Sequence, residues 1–415
     1  MTISGQPRSR RSKATTGLWN PTGQNWNVFY YCRMASTALG GLSAMISARA
    51  ALLYGPGQDY KIDTVEFDEP GPGEVLVELR ACGMCHSDEH VRTGDLPLPY
   101  YPVINGHEGA GEVSRVGEGV TSVVPGDHVA MAFIPSCGSC ASCLAGQAFL
   151  CDLGMKLFDT GIITDGRVAH RIGKEPVARF SQLGAFAERQ LLSESSVVKV
   201  DPDVPWPAVA LVSCGVATGF GSAVNRAGVR PGDTVAILGI GGVGISAVQG
   251  ARVAGARRII AVDPVEFKRE QALRFGATHV YPSLDDAIAA VGALTWGRMC
   301  DSVICAFGVM RGDLLEPALT LTAKGGTCVV TSVAPIAQAQ ADVNLFMLAM
   351  MNKEIKGCLY GSESPRTQIP RLLNLYRDGI LKLDELITET YSLDQVNQGY
   401  ADVAAGRVLR GVIVF

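Results

Sequence analysis

Little charge separates this chain from neutrality: 36 lysines and arginines face 40 aspartates and glutamates, a net charge of −4 over 415 residues. Charged residues make up only 18% and aromatics 7% of the chain. No basic stripe with interleaved aromatics runs through its body, so the electrostatic footprint of a nucleic-acid binder is missing. No apolar run of about 18 residues free of charge is present either, which excludes a simple membrane-spanning helix. A chain this long, with 47% hydrophobic residues, buries enough apolar surface to fold without the disulfides that hold small secreted domains together. Its twelve cysteines therefore need another explanation.

Acid is absent from the first 45 residues, which carry Arg8, Arg10, Arg11, Lys13 and Arg33 and the tryptophans Trp19 and Trp26. A secretory signal is a poor reading, because the apolar part "MASTALGGLSAM" is weak and lies far from the main basic cluster, Arg8 to Lys13. The expectation is a disordered or untranslated leader over 1–45. The native start would then be Met34 or Met45, with Met45 preferred because the strand-like "ARAALLYGPG" begins soon after it. The remaining chain is expected in the cytoplasm, with no membrane partner.

From there the sequence divides into three. Residues 46–215 carry short apolar runs such as "EVLVELR" and "DHVAMAF" between the turn signals "GPGE" and "VPGD", a β-rich pattern. Residues 216–358 alternate β-branched runs ("TVAILG", "RIIAVD", "DSVICAFG") with helical stretches, which implies a parallel sheet covered by helices. The tail, 359–415, carries a helical "IPRLLNLYRDG" and ends on the strand-like "RGVIVF", expected to return to the first domain.

The second part holds "GIGGVG", with Gly239, Gly241, Gly242 and Gly244. Alone this pattern is weak. Here it follows an apolar strand, opens a helix through Val243, and precedes a second strand that ends on Asp263, nineteen residues after Gly244. That context is a dinucleotide-binding turn, in which glycines let the backbone approach a pyrophosphate at a helix N-terminus. A carboxylate at Asp263 accepts from ribose hydroxyls and repels a 2′-phosphate, favouring NAD over NADP. Lys268 is either a ribose contact or an exposed helix lysine.

Four cysteines, Cys137, Cys140, Cys143 and Cys151, fall within "CGSCASCLAGQAFLC". The spacing suits tetrahedral Zn2+ held by four sulfurs, a closed site that stabilises a loop and leaves no coordination position for chemistry. The common ferredoxin spacing differs, with a shorter last gap and a following proline. Three further fragments, "CGMCHSDEH" with Cys85, "NGHEGAG" with His107 and "VSCGVATGFGSA" with Cys214, offer two thiolates and an imidazole, a set that leaves a fourth position open. Each also reads as a small core cysteine or a satisfied core histidine, and spacing alone does not bring them together.

"GHEGAG" with the upstream Cys-x-Ser-Asp, the four-cysteine lobe, "CG...TG.GSA" and "GIGGVG" together resemble the zinc-containing medium-chain alcohol dehydrogenase family, from about residue 46 to the C-terminus. The resemblance implies an α/β protein with a GroES-like catalytic domain built from both chain ends, a Rossmann domain between them, two zinc ions, NAD and a homodimer. On that mapping Cys85, His107 and Cys214 hold a catalytic zinc, the lobe cysteines hold a structural one, and Asp88 orients His107. Glu108 is an alternative ligand or a plain hydrogen-bonded carboxylate. Zinc would acidify a primary alcohol for hydride transfer to NAD. Ser87 would accept the proton and His90 would follow it in the relay. Thr218 and Val333 align with nicotinamide contacts, and Arg410 and His86 with pyrophosphate contacts.

Two departures bear on substrate. Where the glutathione-dependent formaldehyde branch has an arginine for the adduct's carboxylate, this chain has Met155, and Asp95 falls one position early for that branch's acidic residue. "GDLP" and "VDPVEFKRE" resemble the nicotinoprotein subgroup, which retains NAD and passes electrons to a second acceptor. A non-catalytic NAD-binding regulator on the same fold is the alternative from another class.

Overall fold

The computed structural model describes residues 45–415; the expected leader, with Met34, lies outside the described residues. Among these, the strands form three sheets. The parallel one is built from continuous apolar runs. Thr234–Leu238 (TVAIL) is buried at every position, as a central strand with helices on both faces requires. It pairs with Arg258–Val262 on one side and Cys300–Cys305 on the other. His279–Tyr281, Thr322–Val330 and Glu354–Gly357 complete the sheet. Numbered along the chain, its spatial order is 3-2-1-4-5-6, the doubly wound arrangement whose topological switch point lies at the carboxyl ends of the first and fourth strands.

The other two sheets belong to the β-rich part. Glu74–Gly83 is the hub of the larger one: it pairs with Glu108–Val116, with Arg189–Ser193 and with the C-terminal strand Arg410–Val414. That last pairing returns the chain end to the strands that carry the first candidate ligands. Ile46–Leu53 and Lys61–Phe67 pair in the second sheet.

Helices interrupt the stretch read as β-rich, and two of them position the site. His86–Thr93 starts directly after Cys85, with Asp88 and Glu89 in its first turn, where the helix dipole favours acids. It ends on Gly94, in the left-handed conformation at φ 88° that a side chain would strain. Trp206–Val212 carries a proline in its first turn and stops at Ser213. Cys214 then breaks the path at φ −148° and ψ −75° before Gly215–Gly221 resumes as helix. Behind this break, the buried Tyr360 phenol donates to the Ser213 carbonyl and its ring packs 4.2 Å from that of Phe133.

No single described helix is long and apolar enough to cross a membrane. The bent pair Trp206–Val212 and Gly215–Ala227 has span-like composition, but Val209, Leu211, Val216 and Phe220 are buried in the main core.

Candidate active site and metal centres

Three separate chain segments meet at one buried point. Cys85 ends the hub strand's exit, His107 precedes Glu108–Val116, and Cys214 occupies the helix break. Their ligand atoms, with one Glu108 oxygen, lie within 4.8 Å of one another, and all four residues are buried. His107 turns Nδ1 to Asp88 Oδ2 at 3.0 Å, and neither atom hydrogen-bonds elsewhere among the described residues. Asp88 is itself held by the Gly106 N–H at 2.7 Å. Nε2 is thereby the imidazole nitrogen left to ligate.

The protonation states have the signature of a cation site. The neighbouring Cys214 thiol, then the His107 imidazole, hold the Cys85 thiol well below its usual range despite burial. Cys214 is pushed well above that range by the Cys85 sulfur and by burial. Burial opposes charge on His107, but Asp88 and Cys85 raise it well above the usual imidazole range. A Cys2His set with one open position fits the donor set of a catalytic zinc, and Zn2+ there would supply the counter-charge to the thiolates.

Glu108 is pushed up to about 7 by burial, against the pull of Arg410. Its Oε2 accepts from Arg410 and its Oε1 accepts from the Gly215 N–H at 3.0 Å. The carboxylate is hydrogen-bonded and within reach of the ligand cluster, so both roles considered for it remain compatible with the geometry.

The four-cysteine loop forms a second cluster, again with sulfurs within 4.8 Å. Cys137 and Cys143 are 3.8 Å apart and Cys140 and Cys151 4.0 Å. A disulfide is about 2.05 Å, whereas a tetrahedron with Zn–S bonds of about 2.3 Å has edges of about 3.8 Å. Backbone N–H groups of Ser139 and Cys140 point at the Cys137 sulfur, at 3.5 and 3.3 Å, and push its thiol down to about 6. Backbone N–H groups also hold the Cys140 thiol down, while burial pushes Cys143 up to about 12 and raises Cys151.

A cavity of about 380 Å3 runs from this centre along the carboxyl ends of the parallel strands. Its lining includes Gly239, Gly241, Gly242, Val243, Asp263 and Lys268 at one end, and His86, Ser87, His90, Thr218, Val333 and Arg410 nearer the cluster. The glycines divide their labour. A Cβ on Gly244 would lie 2.0 Å from the Gly239 carbonyl, so Gly244 serves helix–strand packing. A Cβ on Gly241 would meet nothing within 4 Å; the protein's own packing does not need that glycine, and the space it leaves open is where a pyrophosphate approaches. Arg410 lies against Gly242, and its buried Nε has no partner among the described residues. An anion there would satisfy it.

Asp263 ends Arg258–Val262, buried, with Oδ2 accepting from the Ile240 N–H at 2.8 Å and Oδ1 from the Val265 N–H at 2.9 Å. The carboxylate is thus fixed at the cavity edge with lone pairs to spare. His86 is pushed down by burial and by His90, which makes it a neutral contact rather than a second Arg410.

A second cavity of about 390 Å3 abuts the first and shares Ser87, His90, Phe133, Cys214, Val333 and Leu359 with it. Leu96, Phe149, Leu157, Phe158 and Phe180 form its walls, Met155 sits at its edge, and no lysine or arginine is among its lining residues. Sequence reasoning missed this wall, because single apolar residues scattered over more than eighty positions carry no motif. It also missed Thr331, whose buried hydroxyl has no partner among the described residues and which lines the cofactor cavity.

Metal analysis of the purified protein is expected to give two zinc ions per chain. Cys143→Ser is expected to leave about one and to lower the melting temperature, while alcohol oxidation persists in the fraction that stays folded; a full complement of zinc in that variant would contradict the loop's assignment. The two glycines separate differently. Gly241→Val is expected to leave thermal stability near wild type and to weaken NAD binding at least about tenfold, whereas Gly244→Ala loses about 1–3 kcal/mol of stability from overpacking. Calorimetry with and without NAD reads both.

Two family models match: Alcohol dehydrogenase GroES-like domain over residues 71–202, and Zinc-binding dehydrogenase over residues 242–378. The chain is 47% identical over 368 residues to Alcohol dehydrogenase B of Mycobacterium tuberculosis, covering 89% of this chain and 98% of that one. It is 46% identical over 369 residues to the NDMA-dependent alcohol dehydrogenase of Amycolatopsis methanolica, covering 89% and 99%. The crystal structure of benzyl alcohol dehydrogenase from Acinetobacter calcoaceticus superimposes with a TM-score of 0.83 at 32% identity, over 89% of this chain and 99% of that one. With the expected GroES-like and Rossmann architecture in place and donor sets that fit zinc and NAD, the chain belongs to the zinc-containing medium-chain alcohol dehydrogenase family and is an NAD-dependent oxidoreductase.

Proposed function

We propose that Cys85, His107 and Cys214 hold the catalytic zinc, that Cys137, Cys140, Cys143 and Cys151 hold the structural one, and that the substrate is an uncharged primary alcohol with an aromatic or medium-length apolar body. The carrying observation is the second cavity, whose apolar wall closes on the same Ser87, His90 and Cys214 that border the cofactor cavity. When bound, zinc supplies a Lewis acid for the alcohol oxygen and NAD supplies the hydride acceptor. The residues do the rest. Phe133 and Phe180, packed edge-on to His107 at 5.8 and 5.4 Å, exclude water from the reacting end. Ser87 Oγ, 3.7 Å from the Cys85 sulfur, is positioned to take the hydroxyl proton, and His90 to pass it on. Asp263 selects NAD, Arg410 and the Gly241 turn hold its pyrophosphate, and Thr218 and Val333 border the nicotinamide end.

Domain limits of 46–215 and 359–415 for the catalytic part and 216–358 for the Rossmann part agree with the strand pairings. A cytoplasmic location is supported by the eleven cysteines among the described residues, all free thiols. Identity to the NDMA-dependent enzyme supports a second reading, in which NAD stays bound and electrons leave to another acceptor.

The test is oxidation of a panel of alcohols by the zinc-replete protein, with added NAD and separately with an artificial electron acceptor. Benzyl-type and medium-chain primary alcohols are expected to turn over. A carboxylate-bearing hydroxymethyl thiol adduct is expected to show kcat/KM at least about tenfold lower, because no cation meets it, and Met155→Arg is expected to narrow that gap. Turnover only with the artificial acceptor, together with NAD released on denaturation, selects the retained-cofactor reading. Silence in every arm would favour the binding-protein alternative.

The homodimer is proposed on a separate surface. Leu345–Met350 (LFMLAM) is a helix with no buried residue, Leu345 and Phe346 being 72% and 69% exposed. Beside it, Glu354–Gly357 ends the parallel sheet as an edge strand. An apolar helix flanking an open strand edge fits a second copy of the chain. Light scattering is expected to give the mass of a dimer, and Phe346→Glu to shift it towards monomer; a wild-type monomer at micromolar concentration would refute it.

A further inference from the structure

Resting on the reading of the site as one that oxidises alcohols, we infer that Asp95 is the outlet through which the proton released in the reaction leaves the buried His90 for solvent. His90 is almost sealed: its side chain is 3% exposed, while that of Asp95 is 35% exposed. Both ring nitrogens are committed within the protein. Nε2 lies 3.1 Å from the Gly308 carbonyl, on the wall of the cofactor cavity, and Nδ1 lies 3.1 Å from Asp95 Oδ2. A carbonyl only accepts, and an ionised carboxylate only accepts, so the two contacts form together when the ring carries a proton on each nitrogen. The two contacts give a proton on the ring an acceptor on either side, Gly308 on the cavity wall and Asp95 towards solvent.

The local chain is built to hold this arrangement. Asp95 follows the helix that carries His90, and the left-handed Gly94 turns the backbone so that the N–H groups of Gly94 and Leu96 both donate to the His90 carbonyl, at 3.1 and 3.0 Å. That reversal swings the Asp95 carboxylate back over Nδ1. The Thr93 hydroxyl donates to the same oxygen at 3.1 Å, and the Ile336 N–H fixes the Asp95 carbonyl at 3.2 Å. The other charged or titratable neighbours are His86, with its ring 5.4 Å away, and the Glu89–Arg92 pair on the same helix. Asp95 is the carboxylate that meets the ring.

The balance is simple. The alcohol's C–H bond breaks with its electron pair going to NAD, its O–H bond gives up a proton, and aldehyde, NADH and H+ result. To take up a proton from the cavity side Nε2 must leave the Gly308 carbonyl, to which it returns as Nε2–H, and Nδ1 gives its proton to Asp95 Oδ2 and then to water. Asp95 touches neither substrate nor cofactor; it is a positioning residue that acts through His90.

The experiment follows the proton separately from the hydride. In stopped flow with a primary alcohol, NADH absorbance reports hydride transfer and a pH-indicator dye reports proton release. Wild type is expected to release its proton in step with NADH. Asp95→Asn, which keeps the shape and loses the carboxylate that can take the proton, is expected to slow proton release at least about tenfold, with partial recovery in concentrated small-molecule buffer and near-complete recovery in Asp95→Glu. A readout independent of turnover is the downfield ring N–H resonance of His90, one of six histidines, in the zinc-loaded protein without alcohol; it is expected to disappear in Asp95→Asn. Wild-type proton release and an unchanged resonance in Asp95→Asn would overturn the inference while leaving the proposed function intact. A wild-type protein that forms no NADH and reduces no acceptor would overturn the proposed function, and the inference with it.

Discussion

Burying two sulfurs, an imidazole and a carboxylate at one point is unfavourable unless positive charge is buried with them, and the positive charge supplied by the chain itself is Arg410. Its guanidinium is fully enclosed and bound to Glu108, which also receives the N–H that follows Cys214. Losing one member of such a pair costs about 3–5 kcal/mol, because the other charge stays buried and unpaired. Arg410 opens the final strand, Arg410–Val414, and that strand must cross to Glu74–Gly83 for the guanidinium to arrive. The return of the C-terminal strand to the sheet of Glu74–Gly83 is what brings the guanidinium to the ligand cluster. The same side chain lies along Gly242 and would collide with a Cβ on Gly215 at 2.3 Å. One residue thus ties the ligand cluster, the nucleotide turn and the C-terminus together.

What could be read from the sequence followed from how local each constraint is. The four-cysteine loop and the nucleotide turn are contiguous, and their spacing encodes their shape: sulfurs within one loop, or glycines between a strand and a helix. The parallel sheet was legible for a similar reason, since runs like TVAIL alternate with helices in chain order. The Cys85, His107 and Cys214 set was different. Its members are joined by strand pairing and a helix break, and only the resemblance to a family united them before the geometry did. Least legible were residues acting through tertiary neighbours. Asp95 was visible as an acid in a loop, but its meeting with His90 depends on the left-handed Gly94, and the apolar wall from Leu96 to Phe180 is assembled from isolated side chains. The helices His86–Thr93 and Trp206–Val212 were hidden in a stretch dominated by strand signals, the first being an eight-residue segment with few apolar positions.

The two cavities carry opposite chemistry, and the proposed function places the reaction where they touch. The cofactor side presents N–H groups, Asp263, Lys268 and the unpartnered Arg410 Nε, a surface made for a charged, hydroxyl-rich molecule. The substrate side is mostly hydrocarbon wall, with Asp152 and Ser181 among its lining residues and no lysine or arginine. Hydride transfer suits such a boundary. The hydride moves between two carbons and needs close approach without water, while the proton left behind is costly to keep in a dry site. An apolar pocket that excludes water for the first event must offer the proton a fixed route for the second. Ser87 and His90 stand on the seam between the cavities, and His90 directs Nδ1 towards the partly exposed Asp95. The dryness that favours hydride transfer and the polar exit on the far side of His90 are two consequences of the same partition.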